Sequence, residues 1–427
     1  MKKILFLFLV FSHFINAQSP VLIGYWHNWN DSNAPYIQLD QIDDRYNVIC
    51  VSFAVPTSPS DMNMQFVPDG VTQASFITQI QNLQNQGKKV LISIGGATTS
   101  ISMPTTTSRD AFANTMTSIL NTYGFDGIDI DIEHGNSILA SGTIANPSSP
   151  DAINLIAAIQ TIKNNYFAQF GKSMMLTFAP ETAYVQGGMS AYGGIWGGYL
   201  PIINALINDL NFIHVQLYNS GSVYGIDGNV YTQGSADFII AMTEAVIHGF
   251  NTAGGMFAGI PANKVVIGLP SCPSAAGGGF TTTADVAAAV HYLKGTGAKP
   301  GSYTLSQLGG YPNLGGLMTW SINWDKVINC NTTAYEFAQN YQTLFGTLST
   351  NDLEIDDQKI TLFPNPARNK LFLKNNFKIE KYFISNTLGQ IVKTGYIAPN
   401  EAINIENFPA NLYFLNIENT NIKFIKN

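Results

Sequence analysis

Asp126-Gly127-Ile128-Asp129-Ile130-Asp131-Ile132-Glu133 is the stretch on which the reading of the fold turns. Acid and isoleucine alternate with a period of two, the period of an extended strand. Asp129, Asp131 and Glu133 therefore share one face, and Ile128, Ile130 and Ile132 share the other. A solvated acidic strand would not alternate with isoleucine, so the apolar face is expected to pack on helices and the acids to point inward. Neighbouring acids on that face stand about 6–7 Å apart along the strand. Three carboxyls so close cannot all ionise cheaply, burial adds to the cost, and at least one should hold its proton toward neutral pH. That suits general-acid chemistry, with Glu133 as donor at the strand end where barrel sites open. A metal site should bring in a histidine at the right reach, but the adjacent His134 is expected on the opposite face. No metal-ligand spacing is present, and no cofactor is expected.

Seven further apolar runs of strand length lie on either side: Val21–Trp26, Tyr46–Val55, Lys89–Ile94, Met174–Ala179, Phe212–Tyr218, Val265–Leu269 and Gly316–Ser321. Most are rich in Val, Ile and Leu without strict alternation, as in parallel strands covered on both faces. Helices are predicted between them over Thr72–Gln86, Ser108–Tyr123, Ala152–Phe170, Pro201–Leu210, Ala236–His248, Ala284–Leu293 and Thr333–Phe345, several stopping at a glycine. Asp31–Asp43 gives the weakest helical pattern. Eight strand-then-helix units predict an α/β fold, a (β/α)8 TIM barrel over residues 18–346. A doubly wound sheet would show fewer strands and a strand, G-x-G-x-x-G, helix sequence. Gly187–Gly198 and Gly277–Gly279 lack that context.

Composition agrees with a packed enzyme-sized core. Of 427 residues, 45% are hydrophobic and only 11% charged, which argues against disorder. A formal charge of -7 speaks against nucleic acid or an acidic membrane surface as partner, since either wants a basic patch. Residues 1–17 read as a signal peptide: Lys2-Lys3, the apolar run Ile4 to Phe11, then a cleavage site after Ala17. The run is well short of the roughly 20 residues a spanning helix needs, so no membrane span is expected. Of three cysteines, Cys50 lies in an apolar run and is expected to be buried; Cys272 and Cys330 each follow a late strand and could pair.

Beyond residue 346 the texture changes. Residues 347–358 are polar and acidic, as a linker would be, and nine of the 21 Lys and Arg fall between Lys359 and Lys426. Short alternating stretches at Lys370–Leu373, Tyr382–Ser385, Ile391–Thr394 and Tyr413–Ile417 predict a small all-β C-terminal domain over 359–427.

Asp126 to Glu133 resembles the D-x-x-D-x-D-x-E signature of family 18 glycoside hydrolases, the chitinases and their relatives. Ser93-Ile94-Gly95-Gly96 is similar to that family's S-x-G-G motif, and Gln216-Leu217-Tyr218-Asn219 to its Q-x-Y-N variant. Leu317-Met318-Thr319-Trp320-Ser321 resembles its final strand. The resemblance covers about Val21 to Gly346 and implies retaining, substrate-assisted hydrolysis of a 2-acetamido sugar without an enzyme nucleophile. It implies Glu133 as the acid, Asp131 orienting the acetamide, and Tyr218 donating to its carbonyl. Asp129 would push the proton upward. Gln216 and Asn219 would hold that sugar over Trp320. Tyr25 and Phe53, at the ends of strands one and two, are expected to line the pocket base. Glu181 and Tyr184 are candidate polar contacts. Asp126, Ser93, Gly95 and Gly96 are expected to support the site rather than touch substrate. Residues 270–315 leave room for only a loop and a helix, not the α+β insertion of some members, so an open cleft cutting internal bonds is expected.

Phe363-Pro364-Asn365-Pro366, Leu388-Gly389, Leu412-Tyr413-Phe414 and Lys423-Phe424-Ile425-Lys426 resemble the sorting domain of type IX secretion substrates. A carbohydrate-binding module should expose aromatics on a flat face, and no Trp follows Trp324. The expected protein is thus a secreted chitinase acting as a monomer on chitin or chitooligosaccharides, released or held at the cell surface after engaging the type IX machinery. An endo-β-N-acetylglucosaminidase acting on N-glycan cores would share the same acids. A lectin-like relative that binds chitin without cutting it usually lacks the glutamate.

Overall fold

In the computed structural model, the described residues are 20–58, 61–133, 138–346, 361–374, 379–387, 389–399, 401–417 and 420–427. The signal peptide 1–17, His134 and the linker 347–358 lie outside them. The chain parts into two compact units, Met1–Leu353 and Glu354–Asn427.

Eight parallel strands build the first unit: β1 (Val21–His27), β2 (Val48–Ser58), β3 (Lys89–Gly95), β4 (Gly127–Asp131), β5 (Met175–Phe178), β6 (Phe212–Ile213), β7 (Val266–Pro270) and β8 (Gly316–Trp320). They run β7-β8-β1-β2-β3-β4-β5-β6 around the sheet. Single bridges Ile213–Val265 and Gln216–Gly268 join β6 to β7 and close the ring. All eight predicted strands are present. The sixth is regular only over Phe212–Ile213, but Gln216 still bridges Glu181 and Gly268 on its two sides. The alternation that turns His214, Gln216 and Tyr218 inward therefore persists.

The outer layer is α1 (Gln73–Asn85), α2 (Thr106–Tyr123), α3 (Pro150–Phe170), α4 (Leu200–Leu206), α5 (Ala236–His248), α6 (Thr283–Leu293) and α7 (Glu336–Phe345). Asp31–Asp43 is not a helix beyond a short 3-10 turn at Leu39–Gln41. Asp31 accepts from the Asn33 amide and Asn30 from the Tyr36 amide. Such local side-chain bonds capture the N–H groups a helix would need. Ile128, Ile130 and Ile132 are buried in one apolar core with Phe112, Met116 and Leu155 of α2 and α3. At about 25 cal/mol per Å², that outward face holds the acid strand in place. Between β7 and β8 lie a 3-10 turn at Pro273–Ala275 and α6, with no inserted domain. Cys272 and Cys330 form a disulfide, and Cys50 is a buried free thiol.

The second unit has two antiparallel sheets among its described residues. Thr361–Phe363, Lys370–Lys374 and Ala402–Asn404 form one; Ile391–Ile397, Glu380–Asn386, Asn411–Ile417 and Thr420–Lys426 form the other. Their inward residues, Leu371, Ile384, Leu415 and Phe424 among them, make a separate core.

Candidate active site

The acid ladder rises through three environments. At its foot Asp126 accepts from the Val90 amide (3.0 Å) and from Gln84 Nε2 (3.0 Å), and Lys172 Nζ stands 3.3 Å away. It fastens the strand base.

One level up, Asp129 is completely buried. Parallel register sets Ser93 of β3 and Thr177 of β5 beside it. Tyr25 and Ser93 donate to Oδ2, each at 2.7 Å; Thr177 donates to Oδ1 at 2.7 Å, and His214 Nε2 lies 3.3 Å from Oδ1. Three donated hydrogen bonds and the nearby imidazole surround the carboxylate. Burial alone would raise this carboxyl, but His214 and the donated hydrogen bonds from Tyr25 and Thr177 bring it below its ordinary range.

Asp131 has the opposite balance. Burial first, then the charges of Glu133 and Asp129, push it well above the usual carboxylate range, although Gln216 opposes them. Gln216 Nε2 donates to Asp131 Oδ1 at 2.8 Å, lies 3.3 Å from Glu133 Oε1, and also reaches the Ala179 carbonyl at 3.1 Å. Glu133 tops the strand, half-buried, on the wall of a cavity of about 540 Å³. Just before it, the Tyr199 hydroxyl accepts from the Ile132 amide (3.0 Å) and donates to the Ile132 carbonyl (2.9 Å), which fixes the strand end.

Rings supply much of the remaining wall. Phe53 and Trp320 stack at 5.9 Å with 11° between their planes, and Trp29 stands 6.2 Å from Phe53 and 6.4 Å from Trp320. Tyr218 and Asn219 line the cavity with them. Burial, followed by the charges of Asp131 and Glu133, pushes the Tyr218 phenol well above its ordinary value, so it stays a hydrogen-bond donor. The Gly95-Gly96 turn is required by close approach. A Cβ on Gly95 would meet the Asp131 carbonyl at 2.4 Å, and one on Gly96 the Phe53 ring at 2.7 Å, both at positive φ.

Three residues expected at the substrate sit elsewhere. Tyr25 is buried below the cavity and holds Asp129. Tyr184 is buried too, packed on Tyr199 with its hydroxyl 3.5 Å from the Glu133 carbonyl, so it backs the acid and does not face the pocket. Glu181 bridges Gln216 through backbone and is absent from the cavity wall. Gln216 does line the cavity, but its amide clasps the acids. His214, Thr177, Tyr199 and Trp29 were not anticipated. Strand parity with Gln216 and Tyr218 could have marked His214 as inward; Trp29 lies past the end of β1, where alternation gives no guide.

Residues 21–298 match the profile of glycosyl hydrolases family 18. The chain belongs to that family. Its similarity to the chitinase Chi52 of Paenibacillus xylanexedens is 44% identity over 334 residues, 77% of this chain and 62% of that protein. Chitinase D of Niallia circulans gives 44% over 339 residues, 78% of this chain and 63% of that one. The chain thus spans a little over three fifths of the length of these curated family members. Among solved structures, a family 18 chitinase from Chromobacterium violaceum superposes with a TM-score of 0.68 at 36% identity, covering 79% of this chain and 87% of that one. Residues 361–427 match a secretion system C-terminal sorting domain. The family 18 chain is therefore one exported to the cell surface or the medium by the type IX route.

Proposed function

We propose that the protein is a chitinase that hydrolyses internal β-1,4 bonds between N-acetylglucosamine units with retention, using the substrate's own acetamide as nucleophile. The observation that carries this reading is the Gln216 clasp. One amide joins Asp131 and Glu133 at the cavity wall, directly above an Asp129 that accepts three hydrogen bonds and has His214 alongside. Asp129 is thus kept anionic, and its negative charge favours a proton on the neighbouring Asp131 and Glu133.

In the reaction, the acetamide oxygen attacks the anomeric carbon as Glu133 gives its proton to the departing glycosidic oxygen. Asp131 holds the acetamide N–H and balances the positive oxazolinium ring. Tyr218 donates to the acetamide oxygen, and Asn219 helps seat the sugar over Trp320 and Phe53. Water then adds to the anomeric carbon as the acetamide oxygen departs and the ring opens, while Glu133 takes a proton from the water, so the enzyme ends as it began. The absence of an inserted domain between β7 and β8 supports an open cleft and internal cutting. The residues named suffice for the chemistry without a partner subunit, and a monomer is proposed. The corresponding division is a signal peptide at 1–17, the catalytic barrel at 18–346, a linker at 347–358, and the sorting domain at 359–427, which would engage the secretion machinery.

The test is hydrolysis of chitin oligomers by the wild type and by Glu133→Gln. Loss of the proton donor should lower turnover on the order of 10²–10⁴-fold, and fully deacetylated oligomers should not be cut. Long early products are expected from chitin. Unchanged turnover by the variant, or equal cutting of deacetylated chains, would refute the mechanism. Release of glycans from a high-mannose glycoprotein, with no action on chitin oligomers, would move the substrate to N-glycan cores.

A further inference from the structure

His214 is the one histidine in the barrel interior beside the acid ladder among the described residues. It is completely buried, outside the cavity wall, and no motif quoted above includes it. Its Nε2 lies 3.3 Å from Asp129 Oδ1. The titratable groups facing it are Tyr25 from β1, with rings 6.0 Å apart and edge-on, Cys50 from β2, and Asp129 from β4; Asp131 and Glu133 stand higher on β4, and Tyr218 follows on its own strand. Thr177, on β5, faces the same carboxylate and does not titrate.

Cys50, Asp129 and His214 bring their ligand atoms within 4.8 Å of one another, a set that could hold a soft cation. Asp129 argues against that use. Three hydroxyls already donate to its oxygens at 2.7 Å, and His214 Nε2 stands 3.3 Å from Oδ1. A metal would have to break this shell inside a closed core. His214 stands beside that shell as a close neighbour rather than as a further hydrogen-bond donor. Buried charge is tolerated only when paired, and His214 is the one basic side chain that the structure places on this carboxylate.

We infer that His214 is a positioning residue of the reaction: its buried pair with Asp129 keeps that carboxylate anionic and so confines the ladder's proton to Asp131 and Glu133. The inference rests on the proposed mechanism. Removing the histidine lets Asp129 take a proton. Its repulsion of a charged Asp131 then disappears, and the upper pair loses its proton at lower pH.

The experiment compares wild type, His214→Phe and His214→Gln on soluble N-acetylated chitooligosaccharides across pH, with melting temperatures recorded in parallel. Glutamine keeps a polar side chain beside Asp129, and serves if the phenylalanine variant does not fold. The alkaline limb of kcat/KM should move down by about one pH unit or more in a folded variant, the scale of losing the like charge of Asp129 beside Asp131. KM at the acid end should stay unchanged, because His214 does not line the cavity. An alkaline limb unmoved in a folded variant overturns the inference, as does a glutamine variant that matches wild type throughout. A wild type inactive on N-acetylated oligomers would instead refute the proposed function. In that event carboxyl carbon NMR of Asp129 in wild type and His214→Gln still reads the pair directly: a raised titration in the variant upholds it, and identical titrations overturn it.

Discussion

Gln216→Leu removes the clasp while leaving nearly the same volume. The side-chain amide serves Asp131 at 2.8 Å, Glu133 at 3.3 Å and the Ala179 carbonyl at 3.1 Å, so the leucine leaves two acids and one carbonyl without that donor. A hydrogen bond to a charged group is worth about 1.5–3 kcal/mol. If the bond to Asp131 matters in the transition state, where that carboxylate faces a positive ring, kcat should fall about 10- to 150-fold, at about 1.4 kcal/mol per decade. There is also a signature in pH. Gln216 is an influence that lowers Asp131 against burial and the neighbouring charges. Without it the pair keeps its proton further, and the alkaline limb should move up, opposite to the shift expected from the His214 variants. The assay is steady-state hydrolysis of a soluble chitooligosaccharide from acid to alkaline pH, with circular dichroism to verify folding. A folded variant with kcat within about twofold of wild type and an unmoved limb would show that the clasp has no part in catalysis.

Two further outcomes are expected. Gly96→Ala places a Cβ 2.7 Å from the Phe53 ring at a φ of +78°. Left-handed backbone costs about 1–2 kcal/mol and overpacking about 1–3 kcal/mol, so thermal unfolding should show a loss of about 2–5 kcal/mol, with KM rising as Phe53 leaves its stack on Trp320; an unchanged melt would contradict this. Asp325, buried behind β8, accepts from the Tyr46 hydroxyl and the Phe337 and Ala338 amides, yet burial pushes it up to about 6 from an ordinary 3.8. The native state therefore binds this proton more tightly than the unfolded chain. Its contribution, about 3 kcal/mol, is complete below pH 4 and lost as pH rises through 6. Urea unfolding between those limits should show that decline in wild type and a flatter profile in Asp325→Asn; parallel profiles would refute the assignment.

Strand positions were legible because each barrel strand is buried on both sides and must be apolar nearly throughout. Ile128, Ile130 and Ile132 face helices, and Val21, Leu22 and Ile23 are equally enclosed. Helices α1, α2 and α5 begin at side-chain caps, Thr72, Thr105 and Ser235, each accepting from a first-turn amide; the expected start of α2 at Ser108 fell inside its cap. The segment Asp31–Asp43 misled because its polar residues bond their own backbone, and composition does not say whether an Asp caps a helix or prevents one. Helix α7 is capped at a distance. Its Phe337 and Ala338 amides go to Asp325, a residue that sequence proximity would not nominate.

At the site, alternation gave direction and withheld depth. It turned Asp129 and Asp131 into the barrel, while Gln216 and Tyr218 entered through the family resemblance and Tyr25 through its place at a strand end. Two residues along a strand is a step of about 6–7 Å, enough to separate a sugar contact from a foundation. Depth is set by register, which is a relation between strands. Tyr25 pairs with Cys50, a level beneath the rim, so its hydroxyl meets Asp129 and no sugar. Ser93, Asp129 and Thr177 fall in one row for the same reason. Tyr25 was expected at the wrong height and Thr177 was missed, and both serve Asp129. A reading of single strands therefore finds the groups that do the chemistry and undercounts those that hold the charge beneath it. If the His214 and Gln216 variants shift the pH profile in opposite directions, that lower row governs where the proton stands.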